Sequence, residues 1–496
     1  MQAEHAFESP AVAIERFVSA SRQPVLMEAG EDPLPITAET FKIERRGATV
    51  RIECWNETRN LVRRVRLVKL DQPGRLELEI ERFGGRVGTL SLVDLANPHN
   101  RDQGRRGSRL KYRERFRRAL ARQFPDWRVA ELSTEPDLHH SLSPSYPRAF
   151  LRKGSMGIAA IGAAEDASDA DGALSFGLIW LDYLRHRETR ISTGGLAIFL
   201  PAGSESTTCH RIRYLSEDAA RFSVFVHSGT HEDAVDPGDY TNFDTRLDPF
   251  SDPLANFSPD SFVWFDRILA MPDVARRDRA DGSVSFAVHG LEFARTSGHD
   301  LLFGIDHKHA CGGERHLQEI EGIARELTRM RSADASDRMN PLYTRQPEAW
   351  LEAQVRARLD SIDASLALRP VYGQVPQFAA GERGIVDLLA VSMTGRLAVI
   401  EVKATQDIHL PLQALDYWMR VKWHLDRGEF AGRGYFPGVP LSSEPPRLVL
   451  VAPALEYHPT NEILLRYFSR EVEVERFGVG LNWRHDLRVM FRRARA

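Results

Sequence analysis

The stretch Gly384-Ile-Val-Asp-Leu-Leu-Ala-Val-Ser-Met-Thr-Gly-Arg-Leu-Ala-Val-Ile-Glu-Val-Lys403 decides how this chain is read. Leu397 to Ile400 is unbroken apolar sequence, the pattern of a buried central strand. Glu401 and Lys403 follow at once, and alternation along a strand points both to one face. Two charges beside a sheet core are costly unless something compensates them. The turn decides what stands opposite. If Met393-Thr394-Gly395 is a three-residue loop with Gly395 in the left-handed position, Ser392 pairs with Arg396. Asp387 then falls opposite Glu401, with Cβ atoms about 5 Å apart. Carboxylates that close repel unless one is protonated or a cation sits between them. A hard divalent ion with oxygen ligands, Mg²⁺ or Mn²⁺, is the simplest answer. A one-residue slip of register would break this geometry.

Working outward, Pro347–Leu359 predicts a helix that carries Glu348 and Glu352, the latter on the face of Val355 and Leu359. An extended segment follows around Val371–Phe378. Beyond the hairpin come a helix from about Pro411 to Asp426, a Gly/Pro-rich loop over 428–446 and a strand at Arg447–Ala452. A helix at Pro459–Phe468 and strands around Val472–Trp483 and Leu487–Phe491 complete the order. These elements predict a mixed α/β fold, a central mixed sheet flanked by helices. Gln413 and Tyr417 are i and i+4, and so share a helix face.

Asp387, thirteen intervening residues and then Glu401-Val402-Lys403 resemble the PD-(D/E)xK, restriction-endonuclease-like nuclease superfamily. The preceding helix offers the acidic residue that family often has there, Glu352 or alternatively Glu348. Gln413-Ala-Leu-Asp-Tyr417 is similar to the Q-x-x-x-Y pattern of its RecB-like branch. Val386 stands where the family name has proline. The resemblance covers residues 345–455. It implies a metal-dependent endonuclease, with Asp387 and Glu401 binding one or two Mg²⁺ (or Mn²⁺) and the Val402 carbonyl as a further ligand. It implies that Lys403 orients or helps deprotonate the attacking water. Glu352 would hold the metal shell, and Gln413 and Tyr417 would position the strand or the catalytic groups. The alternative, a surface ion pair between Glu401 and Lys403, is worth little.

The whole chain has 496 residues, which at roughly 150 per domain suggests about three domains. Lys plus Arg total 66 against 69 Asp plus Glu, so the net charge is −3 and nucleic-acid contact must come from local basic patches. Three cysteines, odd in number and far apart, make disulfides an unexpected staple and a reducing cytoplasm the natural compartment. No stretch approaches the roughly 18 apolar residues of a membrane helix. The acidic N-terminus does not read as a signal peptide. Residues 1–95 alternate like strands and read as a β-rich domain. Residues 96–230 read as an α/β domain, 231–340 as a loop-rich connector with an amphipathic helix at 317–331, and 341–496 as the nuclease-like domain.

The 110–203 stretch reads as a degenerate copy of the C-terminal order. Leu181-Asp-Tyr183 echoes Leu415-Asp-Tyr417, and Leu196-Ala-Ile-Phe-Leu-Pro-Ala202 echoes Leu448-Val-Leu-Val-Ala-Pro-Ala454. Aligning Gly157-Ile158 with Gly384-Ile385 puts Ala160 where Asp387 stands, and no Glu-x-Lys precedes the second helix. Such a copy lacks the means to hold a metal. Arg101–Arg122 is strongly basic. Arg113, Arg117 and Arg118, with Arg383 beside the hairpin, are candidates to follow a phosphate backbone, in competition with a merely solvated helix. His307, His309, Cys311 and His316 have zinc-ligand chemistry but not the spacing of a finger. Asp233-Ala-Val-Asp-Pro-Gly-Asp239 lacks the third and fifth ligands of a calcium loop, which makes it a plain loop.

The first reading is therefore a nuclease acting on nucleic acid, DNA ahead of RNA, away from membranes, with a homodimer as a candidate assembly. A catalytically silent nucleic-acid-binding or interaction protein on the same scaffold is the second. Another metal-assisted hydrolysis is the third, and the Q-x-x-x-Y helix weighs against it.

Overall fold

The alternating runs between residues 24 and 94 pair into a seven-stranded antiparallel sheet. Along Arg75–Glu81 every second residue is buried, so one face carries the core. Ile52, Leu76, Leu78, Ile80, Leu90 and Leu92 lie there, and the helix Pro10–Ala20 presses Ala11, Ile14 and Phe17 onto them. This is the β-rich region that the alternation predicts.

The computed structural model describes residues 9–28, 34–46, 49–55, 60–81, 87–97, 112–164, 170–228, 231–239, 243, 245–250, 259–279, 282–297, 300–305, 309–310, 314–379 and 382–494. The chain forms two units, Met1–Gly154 with Ile161–Ala167, and Ser155–Ala160 with Ser168–Ala496. Among the described residues, no helix is long and apolar enough to cross a membrane. Cys54 and Cys209 are buried.

In the second unit, the stretch read as a loop-rich connector carries a five-stranded antiparallel sheet. Its strands are Val274–Asp278, Val284–Val288, Leu291–Ser297, Asp300–Phe303 and His309–Ala310. The helix Pro259–Leu269 and the amphipathic helix Glu314–Met330 pack on it around Phe265, Phe286, Phe293, Ile320 and Leu327. The strands are two to seven residues long, so none stood out in the sequence. The polar 230–260 stretch, expected as loop, likewise holds the strands His231–Val235 and Thr245–Leu247.

The C-terminal sheet has seven strands. In order they are Thr245–Leu247, Tyr372–Ala379, Glu382–Val391, Leu397–Val402, Arg447–Pro453, Val474–Val479 and Val489–Ala494. Leu397–Val402, Arg447–Pro453 and Val474–Val479 run parallel, and every residue of those three strands is buried. The outer pairings are antiparallel. The helix Pro347–Ala357 buries Trp350, Leu351 and Val355 with the even-numbered face of the hairpin, Leu388, Ala390, Ala398, Ile400 and Val402. The long helix Leu410–Asp426 packs on Leu397–Val402 and Arg447–Pro453. Asp387, Glu401 and Lys403 share the hairpin's odd-numbered face.

The earlier segment repeats this order. A helix over 112–123 is followed by strands Arg128–Ser133, Arg148–Lys153 and Met156–Gly162, the helix Gly172–Arg187 and the strand Ser192–Pro201. The helix Ser206–Ile212 and strands Arg221–Ser228 and His231–Val235 complete it. Apart from the short helices Leu359–Ile362 and Glu429–Gly432, residues 347–494 run through the same sequence of elements. The pairing senses agree. Arg128–Ser133 and Arg148–Lys153 are antiparallel like Tyr372–Ala379 and Glu382–Val391. Ser192–Pro201 and Arg221–Ser228 are parallel like Arg447–Pro453 and Val474–Val479, and an antiparallel last strand closes both halves.

The residue alignment expected from the sequence needs one correction. Met156–Gly162 leads directly into the helix Gly172–Arg187, so its counterpart is Leu397–Val402 rather than the strand of Asp387. Gly154 and Gly395, with φ of +62° and +85°, mark the two hairpin turns. Counting from them, Ala160 stands at the position of Glu401 and Gly162 at that of Lys403. A Cβ on Gly162 would lie 2.8 Å from Tyr112 Oη and 3.1 Å from the Phe116 ring, so aromatic side chains fill the space a lysine would need.

Candidate active site

The turn forms as its glycine requires. Gly395 has φ +85°, and a Cβ there would meet the Pro440 carbonyl oxygen at 2.1 Å. The Ser392 amide donates to the Arg396 carbonyl at 2.8 Å, and the ladder runs Val391↔Leu397, Ala390↔Ala398, Leu389↔Val399 and Leu388↔Ile400. This is the register that the sequence predicts. One step further, Asp387 stands across from Glu401, and there a side chain takes over from the ladder. The Val402 amide donates to Asp387 Oδ2 at 2.9 Å.

Both carboxyls are held above the usual carboxylate range. Glu401 is 3% exposed; burial first, then the charge of Asp387 and a hydrogen bond between the two carboxyls, pushes it well up. Burial pushes Asp387 up to about 6, and the Val402 amide pulls the other way. Glu352 and Glu348 add to the rise, and Lys403 opposes it. Glu401 Oε2 is buried and accepts no hydrogen bond from an N–H or O–H donor. The Lys403 ammonium lies 3.9 Å from Glu401 Oε1 and 3.6 Å from Asp407 Oδ2. Its backbone amide donates to the Val451 carbonyl at 3.0 Å, which fixes the strand end against its parallel neighbour.

Glu352, also 3% exposed, is near enough to Asp387 to act on it electrostatically. Its Oε2 lies 2.8 Å from Arg277 Nη2, and its Oε1 is buried without a partner. Arg277 also donates to the Ala349 carbonyl at 3.3 Å, clasping the helix from the side of the five-stranded sheet. Glu348 accepts from Thr405 Oγ1 at 3.4 Å, so both acids that the sequence offered face this site. Burial raises the Tyr417 hydroxyl's pKa, with the carboxylates of Glu401 and Asp387 as the next causes, so the phenol stays protonated at neutral pH. Gln413, one turn earlier, has a buried Oε1 with no partner. Val402 is buried in the core on the opposite face of the hairpin.

Sequence reasoning therefore brought Asp387, Glu401, Lys403, Glu352 and Tyr417 to one place, with Gln413 on the same helix face as Tyr417. It missed Arg277 and Asp407. Asp407 is four residues past Lys403 and could have been noticed as an i, i+4 partner; nothing near Arg277 marks it. Among the described residues, no group of three or more His, Cys, Asp or Glu is gathered to hold a metal ion. The acids brought together here are Asp387 and Glu401. Two opposed acids with raised pKa values and one orphaned buried oxygen form a donor set suited to a hard divalent cation.

The other candidates are placed as follows. Arg113 is half-buried and donates to the Leu132 carbonyl at 3.3 Å. Arg117 is exposed and pairs with Glu114 at 3.0 Å, and Arg118 is exposed. Arg383 lies in the strand Glu382–Val391, but its side chain falls outside the described residues. Of the possible zinc ligands, His307 and Cys311 lie outside the described residues, as does the side chain of His309; His316 is on the helix Glu314–Met330. Asp236 Oδ1 accepts from the Gly238 amide at 2.8 Å, an ordinary turn after the strand His231–Val235. No family model matches the chain, and no curated protein matches it.

Proposed function

We propose that this chain is a metal-dependent nuclease that hydrolyses phosphodiester bonds of DNA, or of RNA, with Mg²⁺ or Mn²⁺ as cofactor. The observation that carries the reading is the opposed pair of acids, half-buried Asp387 and buried Glu401, with the Lys403 ammonium 3.9 Å from the latter. The similarity of this hairpin, its Glu352 helix and its Gln413–Tyr417 helix to PD-(D/E)xK nucleases points the same way.

In the metal-free protein, burial holds both carboxyls above the usual carboxylate range, and the Asp387 charge adds to the rise at Glu401. Asp387, Glu401 and the Val402 carbonyl are the groups that would hold the ion. A bound divalent ion supplies an acidified water and a polarised phosphate. Lys403 donates to the attacking water or a phosphate oxygen and offsets the negative charge that develops there. Tyr417 presents a hydroxyl donor and Gln413 a free amide oxygen on one helix face, where they orient the strand or the lysine. Arg277 holds Glu352 in place at the edge of the site.

The test is incubation of the purified protein with single- and double-stranded DNA and RNA in Mg²⁺, Mn²⁺ or chelator, beside Lys403→Ala. Cleavage by the wild type that chelator abolishes and the variant largely loses is expected. Binding without cleavage, or cleavage indifferent to Lys403→Ala, would contradict the reading.

A further inference from the structure

Within the second unit, two equivalent segments meet by exchanging groups. Arg213-Tyr-Leu-Ser216 closes the helix Ser206–Ile212, and Arg466-Tyr-Phe-Ser469 closes the helix Thr460–Arg466. The Ser216 amide donates to the Tyr467 carbonyl at 2.7 Å, and the Ser469 amide donates to the Tyr214 carbonyl at 2.7 Å. Between these bonds, Leu215 and Phe468 form an antiparallel bridge, and both are buried. Each segment thus gives its partner what it receives, the mark of a two-fold, self-complementary contact.

The flanking helices obey the same symmetry. Gly172–Arg187 packs on Thr460–Arg466, and Leu410–Asp426 packs on Ser206–Ile212. Asp182, in Leu181-Asp-Tyr183, meets Arg466 at 3.4 Å. Asp416, in Leu415-Asp-Tyr417, meets the buried Arg211 at 2.7 Å, two residues before Arg213, the counterpart of Arg466, so the ion pairs match in kind but not in position. Identical subunits form such contacts in a closed dimer; here one chain supplies both sides. The acids and the lysine, however, stand in one copy alone. Ala160 and Gly162 occupy the positions of Glu401 and Lys403, and Tyr112 and Phe116 close the space at Gly162.

We propose that residues 112–235 are a built-in, catalytically empty partner that takes the place of a second subunit. The protein then acts as a single chain with one hydrolytic centre and cuts one strand of a duplex per binding event. This rests on the nuclease reading above. Each event consumes one water. Its oxygen forms the new bond to phosphorus, one P–O ester bond breaks, and one of its protons ends on the departing alkoxide. No bond in the opposite strand is broken.

A covalently closed, supercoiled DNA circle with Mg²⁺ separates the outcomes, with the mass of the protein measured by sedimentation under the same conditions. The expected result is one-chain mass and near-complete conversion to nicked circle before linear DNA rises after a lag. Linear DNA formed alongside nicked circle from the start, a two-chain mass, or cleavage restricted to single strands would overturn this proposal alone. Failure to cut any nucleic acid in any divalent metal would overturn the nuclease reading and this proposal with it.

Discussion

The Val402 amide donates to Asp387 Oδ2 across the hairpin at 2.9 Å. That bond ends the strand pairing one residue early and points the Asp387 carboxyl at Glu401. That bond and the Lys403 charge lower the Asp387 pKa, and burial outweighs both. The site therefore carries electrostatic stress in the metal-free protein, and its stability and activity should respond oppositely to removal of that stress.

Asp387→Asn is expected to abolish cleavage while raising thermal stability at pH 8 in chelator. The amide removes a charge whose pKa of about 6 lies some two pH units above an ordinary aspartate, a stress of about 1–3 kcal/mol. Differential scanning calorimetry beside the cleavage assay checks this; a lowered melting temperature would contradict it.

The pH dependence has a fixed sign. The Asp387 carboxyl binds its proton more tightly folded than unfolded, so metal-free stability is greatest in acid. It falls as pH rises from the ordinary aspartate value through about 6, and this contribution is flat above that. Protons and the divalent ion compete for the same oxygens, so cleavage should rise through pH 6 and metal-induced stabilisation should vanish below it. Saturating metal at about 100 times its dissociation constant should add about 2.7 kcal/mol at pH 8. Denaturation curves at pH 5 and 8, with and without Mn²⁺, measure both effects.

Lys403→Ala should lower the turnover rate by roughly 10²–10⁴-fold, the range of a positioned proton-transfer or charge-stabilising group. Metal-induced stabilisation should survive, since the acids remain. A variant that loses both would place Lys403 in the metal site's architecture instead.

Arg277→Ala leaves the Glu352 carboxylate buried without its cation, and breaking such a pair costs about 3–5 kcal/mol. The double variant Arg277→Met/Glu352→Gln should recover much of that loss, because no charge is then stranded. Urea denaturation of the single and double variants gives the comparison; equal stabilities would contradict it.

Gly395→Ala tests the turn. A side chain at φ +85° costs about 1–2 kcal/mol, and the Pro440 carbonyl oxygen stands 2.1 Å from where the Cβ would go. Gly154→Ala, in the matching turn with nothing within 4 Å, should show the backbone cost alone. Greater destabilisation and loss of cleavage are expected in Gly395→Ala; the reverse order would refute the role given to this turn.

The hairpin was legible because local rules determine it: an apolar run, a turn glycine and the two-residue alternation set the Asp387–Glu401 opposition without distant information. The helix of Gln413 and Tyr417 was legible for the same reason. Arg277 was not, because it reaches Glu352 from a strand 75 residues earlier whose short, interrupted neighbours gave no periodic signal. The repeat was half legible. Its tripeptide echoes marked the helices, but only the order of the elements showed which strand precedes Gly172–Arg187, and that moved Ala160 from the Asp387 position to the Glu401 position.

The most direct test of the account is calorimetric titration of Mn²⁺ into the wild type and into Glu401→Gln at pH 8. Saturable binding by the wild type, with release of protons from the raised carboxyls, and at least a tenfold (about 1.4 kcal/mol) loss of affinity in the variant are predicted. Equal binding by both proteins, or none by the wild type, would contradict the claim that these two carboxyls clasp a divalent cation.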